Sequence, residues 1–359
     1  DPCRSRGLGD VYKRQPTTAP IRKQRNRSVA MASPTPLAPD HLGPTVCIGE
    51  ILAEIVATTE GVGFKNPQPL VGPYPSGAAA IFIDQCRRMG GSAAMIGAVG
   101  DDDFGRMNTD RLARDDVDVS AIAIHPNLPT GTAFVRYQND GKRDFVFNVW
   151  TSAAGTLSWT PAVEDVIARA GHLHVIGTSL ARDHIWQMIE RAAPLIKARG
   201  GTVSLDPNQR KELTKDTEGR FAKMILQTDL LLPSGDEIFL STKGISEIDE
   251  TDAIHAIFAQ GVCESVLKRG DVGATCFQSD GTITNAPAFI VKEVDPTGAG
   301  DCFGGAYVAA RRLGMAVAES LTYACAAGAR NVTMLGPMEG AGTRAQLENV
   351  IAITPRLDL

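Results

Sequence analysis

The sequence has few aromatic residues and no long apolar segment. Phe, Trp and Tyr make up 6% of the 359 residues, and no apolar run approaches the roughly 18 residues needed to cross a membrane. The seven cysteines form no Cys-x-x-Cys pair and no Cys/His cluster at zinc-ligand spacing. These absences argue against a membrane span and a zinc site, and the scattered thiols predict a reducing, cytoplasmic compartment.

The net charge of −5 is unevenly distributed along the chain. Residues 1–45 carry eight basic and three acidic residues, which leaves 28 basic and 38 acidic residues in the remainder. A body this acidic is a poor candidate for nucleic-acid binding, because that binding depends on neutralising phosphates with Lys and Arg. Any polyanionic ligand must therefore be met by a local site.

The first 45 residues show no periodic apolar pattern and are rich in Pro, Ser and Thr. They lack the continuous apolar core of a secretory signal, and their basic character loosely fits an organelle transit peptide. We expect a disordered or non-native leader over residues 1–45 and one folded domain over residues 46–359.

From residue 46 onward, short apolar strands alternate with helices of about 10–15 residues. This alternation predicts an α/β fold with a mostly parallel sheet and helices on both faces. Two segments of period-two character, at about 50–75 and 131–150, predict a small additional β-sheet, with Asn139-Asp140-Gly141 as a hairpin turn. Strands are predicted at 46–49, 93–99, 173–176, 202–205, 229–232 and 265–268, and helices at 78–89, 103–115, 183–198, 213–227, 254–260, 301–312 and 318–334.

The segment Asp295-Pro296-Thr297-Gly298-Ala299-Gly300-Asp301 lies between a predicted strand and a predicted helix. Unpaired amides and the helix dipole make a helix N-terminus an anion site, and glycines let a phosphate approach the backbone. A carboxylate at Asp301 would face that anion and could accept the proton of an attacking hydroxyl. The alternative is that Asp301 only caps the helix, which is worth roughly 1 kcal/mol.

This run, continued to Ala306, resembles the C-terminal signature of the PfkB (ribokinase-like) carbohydrate kinases. The stretch from Gly90 to Gly105 resembles the N-terminal signature of the same family. Further matches stand at Gly49-Glu50, Asp206–Arg210 and Lys268–Gly270. The resemblance covers about residues 46–337 and implies a ribokinase-like fold in which the small β-sheet closes over the substrate as a lid. A dehydrogenase is disfavoured because no Gly-x-Gly-x-x-Gly turn follows the first strand.

The resemblance implies an ATP-dependent sugar kinase that uses Mg²⁺. Asp301 would be the general base, and the amides of Gly298, Ala299 and Gly300 would stabilise the transferred phosphoryl group. The nucleotide side would comprise Thr297, Lys268, Gly270, Glu237, Asp295 and the 325–336 region. Glu237 would organise Mg²⁺ through water, and Asp295 stands where the family often holds a monovalent cation such as K⁺. The alternative for these two positions is that Lys268 is a solvated lysine at a strand end and Glu237 a solvated acid at a helix start.

The sugar side implied by the resemblance comprises Gly49, Glu54, Ser76, Gly77, Arg136, Asn208 and Arg210. Arg136 and Tyr137 alternate on the predicted hairpin, so only one can face the sugar, and we assign Arg136. Glu54 replaces the family's usual aspartate, Ser76-Gly77 its Gly-Gly turn, and Ile81 a following asparagine. Ser234 replaces the asparagine of an Asn-x-x-Glu motif that keeps Glu237.

Within the family, the sequence favours a tagatose- or fructose-type ketohexose kinase that phosphorylates a terminal hydroxymethyl group. A 2-keto-3-deoxygluconate kinase is the alternative, with Arg210 or Arg136 binding the substrate carboxylate. A nucleoside kinase is disfavoured because the pocket segments offer few aromatic residues beyond Tyr74 and Phe82. A sugar-binding sensor without catalysis is a different class, which the intact Asp301 disfavours. An apolar lid face with Phe134, Phe145 and Phe147 predicts a homodimer.

Overall fold

Thirteen strands form two sheets in residues 37–139, 143–209, 217–242 and 248–358, the part of the chain that this computed structural model describes. The strands are β1 (Thr45–Ile48), β2 (Leu52–Ala57), β3 (Leu70–Ser76), β4 (Ala93–Gly100), β5 (Asp118–His125), β6 (Gly131–Tyr137), β7 (Arg143–Asn148), β8 (His172–Ile176), β9 (Thr202–Asp206), β10 (Leu230–Leu231), β11 (Glu264–Lys268), β12 (Gly273–Gln278) and β13 (Ile283–Pro287). The central sheet has the order β13-β12-β11-β10-β9-β8-β1-β4-β5 and is parallel from β11 to β5.

Helices cover both faces of the central sheet. They are α1 (Ala78–Arg88), α2 (Asp103–Arg114), α3 (Pro161–Arg169), α4 (Asp183–Lys197), α5 (Glu218–Ile225), α6 (Glu250–Ala259), α7 (Ala299–Arg312), α8 (Val317–Val332) and α9 (Arg344–Ile353). One apolar core lies between the sheet and α1, α7 and α8, and a second lies between the opposite face and α3, α4, α5 and α6. The predicted α/β fold is confirmed. Among the described residues, no helix combines the length and apolar composition that crossing a membrane requires.

The small sheet consists of four strands in the order β3-β2-β6-β7. The strands β2 and β6 are parallel, whereas the β2–β3 and β6–β7 pairs are antiparallel. It therefore combines the two period-two segments that the sequence predicted, and β2 begins only a few residues after β1 ends. The tip of the predicted Asn139-Asp140-Gly141 turn lies outside the described residues.

The predicted domain start at residue 46 is too late. Leu37 and Ala38 are buried, and the amide of Ala38 donates to Thr202 Oγ1 at 3.0 Å. The fully buried guanidinium of Arg312 donates to the carbonyl of Ala38 at 2.9 Å and to that of Gly43 at 2.6 Å. Residues 37–45 thus belong to the fold, because their carbonyl groups accept hydrogen bonds from the buried Arg312. Local periodicity in the sequence gives no sign of this long-range contact. Residues 1–36 lie outside the described part.

Candidate active site

The carboxyl ends of three parallel strands bring the predicted site residues to one edge of the central sheet. Gly49 follows β1, Asp206 ends β9 and Lys268 ends β11. Ligands of open α/β sheets bind at this edge, because the strand ends and the N-termini of the following helices converge there. At Gly49 a Cβ atom would come within 2.9 Å of the Cβ of Ala79, so this glycine permits close packing of α1.

A glycine loop (Asp295–Gly300) runs into the first residues of α7 and carries the predicted anion site. Gly298 is the N-cap residue with φ 81°, a left-handed conformation that favours glycine. A Cβ atom there would lie 2.4 Å from the carbonyl oxygen of Pro337. Helix α7 therefore starts without a capping side chain, and the amides of Ala299 and Gly300 lie at the positive end of its dipole.

Asp301 lies in the first turn of α7, three residues after the N-cap. The capping alternative is therefore wrong, since Gly298 occupies the N-cap position. The Asp301 side chain is buried, and its Oδ1 accepts a hydrogen bond from Asn208 Nδ2 at 3.1 Å. Asn208 has φ 37°, which asparagine tolerates better than most residues. This turn after β9 aims the amide of Asn208 at Asp301.

Lys268 connects the strand ends to the glycine loop. Its Nζ lies 2.5 Å from Asp206 Oδ2, while Asp206 Oδ1 accepts from the amide of Asn208 at 3.1 Å. A Cβ atom on Gly300 would lie 3.6 Å from the Lys268 Nζ. Lys268 is buried with its charge beside the anion site, so it is not a solvated strand-end lysine. Asp206 thus holds both the Lys268 ammonium and the amide of Asn208. The sequence analysis did not select it as a site residue, although it begins the Asp-Pro-Asn motif.

Glu237 is half-buried in the same region. Its two carboxylate oxygens accept from the amides of Gln209 at 2.7 Å and Ser234 at 2.8 Å. Burial raises the pKa of Glu237, and the negative charge of Asp206 raises it further, against the opposing effect of Lys268. Glu237 is therefore not a freely solvated acid. Each oxygen has a second lone pair that can accept from a cation-bound water.

Asp295 is a buried carboxylate that joins three segments. Its Oδ1 accepts from the hydroxyl of Tyr137 at 2.8 Å and from the amide of Thr297 at 2.9 Å, and its Oδ2 accepts from the amide of Gly336 at 3.0 Å. A carboxylate has about four lone-pair directions, so these donors leave room for one further donor or cation. Among residues 37–139, 143–209, 217–242 and 248–358, no group of three His, Cys, Asp or Glu is arranged to hold a metal.

The assignment of Arg136 to the sugar pocket is corrected. Tyr137 reaches Asp295, so its face of β6 is directed at the glycine loop. Arg136 lies on the opposite face and pairs with Asp144 of β7. The sequence established that only one of the two neighbours could face the site, but the choice required knowing which face of the small sheet is turned inward.

Glu54 and Ser76 meet at the base of the small sheet. Both are buried, and Glu54 Oε2 accepts from Ser76 Oγ at 3.2 Å. Two of the departures from the family pattern thus form one contact, because the longer glutamate reaches the serine hydroxyl. Gly77, with φ 108°, begins α1, and a Cβ atom there would lie 2.4 Å from the carbonyl oxygen of Glu50.

A cleft of 460 Å³ opens beside the glycine loop. Lys268 and Gly270 lie on one side, and Cys325 with neighbouring α8 residues lies on the other. Much of the wall is apolar, with Phe289, Ile290, Val291, Phe303, Ala329, Val332 and Leu357. The cleft thus has an apolar end that suits a planar base and an end next to helix amides and an ammonium that suits phosphates.

Residues 45–344 match the sequence model of the pfkB family carbohydrate kinases. The chain belongs to this family. It is 30% identical over 322 residues to the probable fructokinase-7 of Arabidopsis thaliana, with 86% of this chain and 92% of the relative covered. It is also 30% identical over 318 residues to fructokinase-1 of Zea mays, covering 85% and 97%. A solved structure of a putative ribokinase II from E. coli matches with TM-score 0.81 and 42% identity, covering 86% and 99%.

In this carbohydrate kinase the structure brings most of the predicted site residues together, with two exceptions. Arg136 faces away, and Arg210 lies outside the described residues. Ile81, at the position of the family's asparagine, is buried in the core. Phe82 is buried and stacks on His174 with 3.5 Å between ring centroids, so it offers no face to a purine.

Proposed function

We propose that this carbohydrate kinase transfers the γ-phosphoryl group of ATP, with Mg²⁺, to the terminal hydroxymethyl group of a ketohexose of the tagatose or fructose type. The observation that carries the proposal is a buried carboxylate, Asp301, held by Asn208 in the first turn of a helix that starts with an uncapped glycine loop. Relatives of the chain are named fructokinases. A solved structure of a putative ribokinase II from E. coli, 40% identical to this chain, is a complex with ATP and Mg²⁺.

The chemistry follows from the placement of the charges. Asp301 accepts the proton of the sugar hydroxyl as its oxygen attacks the γ-phosphorus, and the bond from that phosphorus to the bridging oxygen of ADP breaks. The amides of Gly298, Ala299 and Gly300 and the ammonium of Lys268 would stabilise the charge that develops on the transferred group, since Ala299, Gly300 and Lys268 line the cleft. Mg²⁺ supplies further neutralisation of the phosphates when bound, and Glu237 would hold it through water.

The sugar would lie between the strand ends and the inner face of the small sheet. Glu54 and Ser76 supply buried polar groups at the base of that sheet, and Asn208 supplies an amide next to Asp301. We expect the small sheet to act as a lid that keeps water away from the phosphoryl group. A 2-keto-3-deoxygluconate kinase gains no support from Arg136, because that side chain points away from the site.

A homodimer would form through the outer face of the small sheet, which carries one of the three phenylalanines predicted for the interface. The strand register puts Phe145 and Phe147 on the inner face with Tyr137, and Phe134 on the outer face beside Val146. Val146 is 51% exposed and Leu70 is 44% exposed. Phe64 packs edge-on against Phe134 at 6.1 Å between centroids and extends this apolar face.

Light scattering tests the dimer. We expect the wild type to have the mass of two chains, and Val146→Lys to shift it towards one chain because a buried charge would be unpaired. A monomeric wild type, or a variant that stays dimeric, would rule out the outer face as the dimer interface. Cys47, Cys86, Cys276, Cys302 and Cys325 are free thiols, in keeping with a reducing, cytoplasmic location.

An ADP-release assay with Mg-ATP tests the proposed activity. The acceptors are tagatose, fructose, 2-keto-3-deoxygluconate and adenosine. Turnover on a ketohexose is the expected result. Turnover on the sugar acid alone would replace the substrate assignment, and sugar binding without turnover on any acceptor would overturn the catalytic one.

A further inference from the structure

Two side chains of the small sheet bond directly to the glycine loop. The hydroxyl of Tyr137 donates to Asp295 Oδ1 at 2.8 Å, and Nη1 of Arg143 donates to Thr297 Oγ1 at 2.8 Å. The strand register puts Tyr137 of β6 directly opposite Arg143 of β7. The two residues therefore form one pair on the inner face of the small sheet, and the pair holds two positions of the same loop.

The loop is also held from its other side. The amide of Gly336 donates to Asp295 Oδ2 at 3.0 Å, and Nδ2 of Asn331 donates to the carbonyl of Thr297 at 2.7 Å. The Asp295–Thr297 segment thus lies between the small sheet and the end of α8. Because the next residues are Gly298–Gly300, a shift of this segment would displace the amides that face the transferred phosphoryl group.

The Thr297 hydroxyl can serve the small sheet and a phosphate at the same time. A hydroxyl that accepts a hydrogen bond still has its own proton to donate. Thr297 can therefore accept from the Arg143 guanidinium and donate towards a phosphate. The Arg143 guanidinium also lies over the ring of Phe145, 5.9 Å from its centroid.

We propose that Tyr137 and Arg143 are positioning residues for phosphoryl transfer, which couple closure of the small sheet over the sugar to the order of the glycine loop. The inference rests on the proposed function, since it assigns the loop amides to the phosphoryl group. The two residues act through Asp295 and Thr297. The loop then reaches its working geometry when the small sheet is in place.

Hydrogen exchange and steady-state kinetics on the full chain test the coupling. The variants are Tyr137→Phe, Arg143→Gln and the double variant. Asp144→Asn is the control, because Asp144 is adjacent in sequence to Arg143 but points to the outer face, where it pairs with Arg136. We expect each single variant to lower kcat by about 10-fold, the loss expected for a hydrogen bond to a charged group, with the sugar KM little changed.

Exchange of the amides of Thr297, Ala299 and Gly300, measured without ligands, should be about 10-fold faster in Tyr137→Phe and Arg143→Gln and unchanged in Asp144→Asn. The fold-loss of kcat in the double variant should be smaller than the product of the two single-variant losses, because both contacts hold one segment. Wild-type kcat and wild-type exchange in both single variants would overturn the coupling. An inactive wild type would instead overturn the proposed function, while the exchange rates would still decide the coupling.

Discussion

Two loops of similar composition begin helices in this kinase, and they serve different purposes. The stretch Gly100–Gly105 leads into α2, and the glycine loop leads into α7. Both contain aspartates and glycines, and both resemble family signatures. In the first loop an aspartate caps its own helix, whereas in the second the cap is a glycine in the left-handed region and the aspartate lies further along the helix.

The α2 loop satisfies its own helix end. Asp102 is the N-cap residue and accepts from the amide of Gly105 at 2.8 Å. It also accepts from the amide and the hydroxyl of Thr130, each at 2.7 Å. Burial alone would raise the pKa of Asp102, but the bonds from Thr130 and Gly105 outweigh it and lower the pKa. This aspartate joins α2 to the start of β6 and is structural.

The α7 loop leaves its helix end without a side-chain cap, and Asp301 is held by Asn208 from another strand end. A helix terminus that its own sequence does not cap is available to an anionic ligand. The two aspartates therefore differ in a visible way: Asp102 accepts from an amide of its own helix, whereas Asp301 accepts from Asn208 at another strand end. On this difference we propose the α7 loop, and not the α2 loop, as the catalytic one.

The largest predicted effect is on kcat, and it should distinguish Asp301 from Asp102. Asp301→Asn should lower kcat at least 100-fold, because the general base is lost, with no fall in the free energy of unfolding. Asp102→Ala should keep kcat within about 2-fold and lower the free energy of unfolding by about 1–2 kcal/mol, since it removes a cap. ADP release and urea unfolding measure the two quantities. Equal kcat losses in both variants would contradict the distinction.

The second prediction concerns Gly298, which occupies the N-cap position of α7 in place of a capping side chain. Gly298→Ala should lower kcat by more than about 10-fold and destabilise by roughly 1–3 kcal/mol, because a Cβ atom would collide with Pro337 at a positive φ. Gly314 follows the other end of α7 with φ 87° and open space around it, so Gly314→Ala isolates the backbone strain. The Gly314 variant should lose stability but keep its kcat. A similar kcat loss in both would assign the effect to general strain.

The smallest predicted effect is a pH dependence of the stability that Asp102 contributes as the N-cap residue of α2. The folded pKa of Asp102 lies below its ordinary value, so its stabilising contribution is present above the unfolded pKa of about 4 and is lost as pH falls through the folded pKa. The Tm difference between wild type and Asp102→Ala should therefore be constant near neutrality and shrink below about pH 4. A difference that grows in acid would reverse this assignment.

Local pattern was enough for much of the fold. Strand and helix alternation predicted the parallel sheet, and period two predicted the small sheet. The helices α3 and α9 and the strand β5 were not predicted. For α3 the sequence did contain a start signal, since Thr160 caps the helix and a proline lies in its first turn. Asp206 and Arg143 were not selected from the sequence, and Tyr137 was weighed against Arg136 and rejected. All three contact partners that are distant in sequence. Their bonds to Lys268, Asp295 and Thr297 span 62, 158 and 154 positions.

The sequence by itself determined the family and located the glycine loop, and it singled out Asp301 as the candidate base, because all three depend on residues that are adjacent along the chain. Only the tertiary structure decided that Tyr137 rather than Arg136 faces the site, and that Phe134 is separated from Phe145 and Phe147. The physical reason is that alternation along a strand establishes that neighbours point to opposite faces, but not which face is turned inward. That choice is made by contacts with another part of the chain.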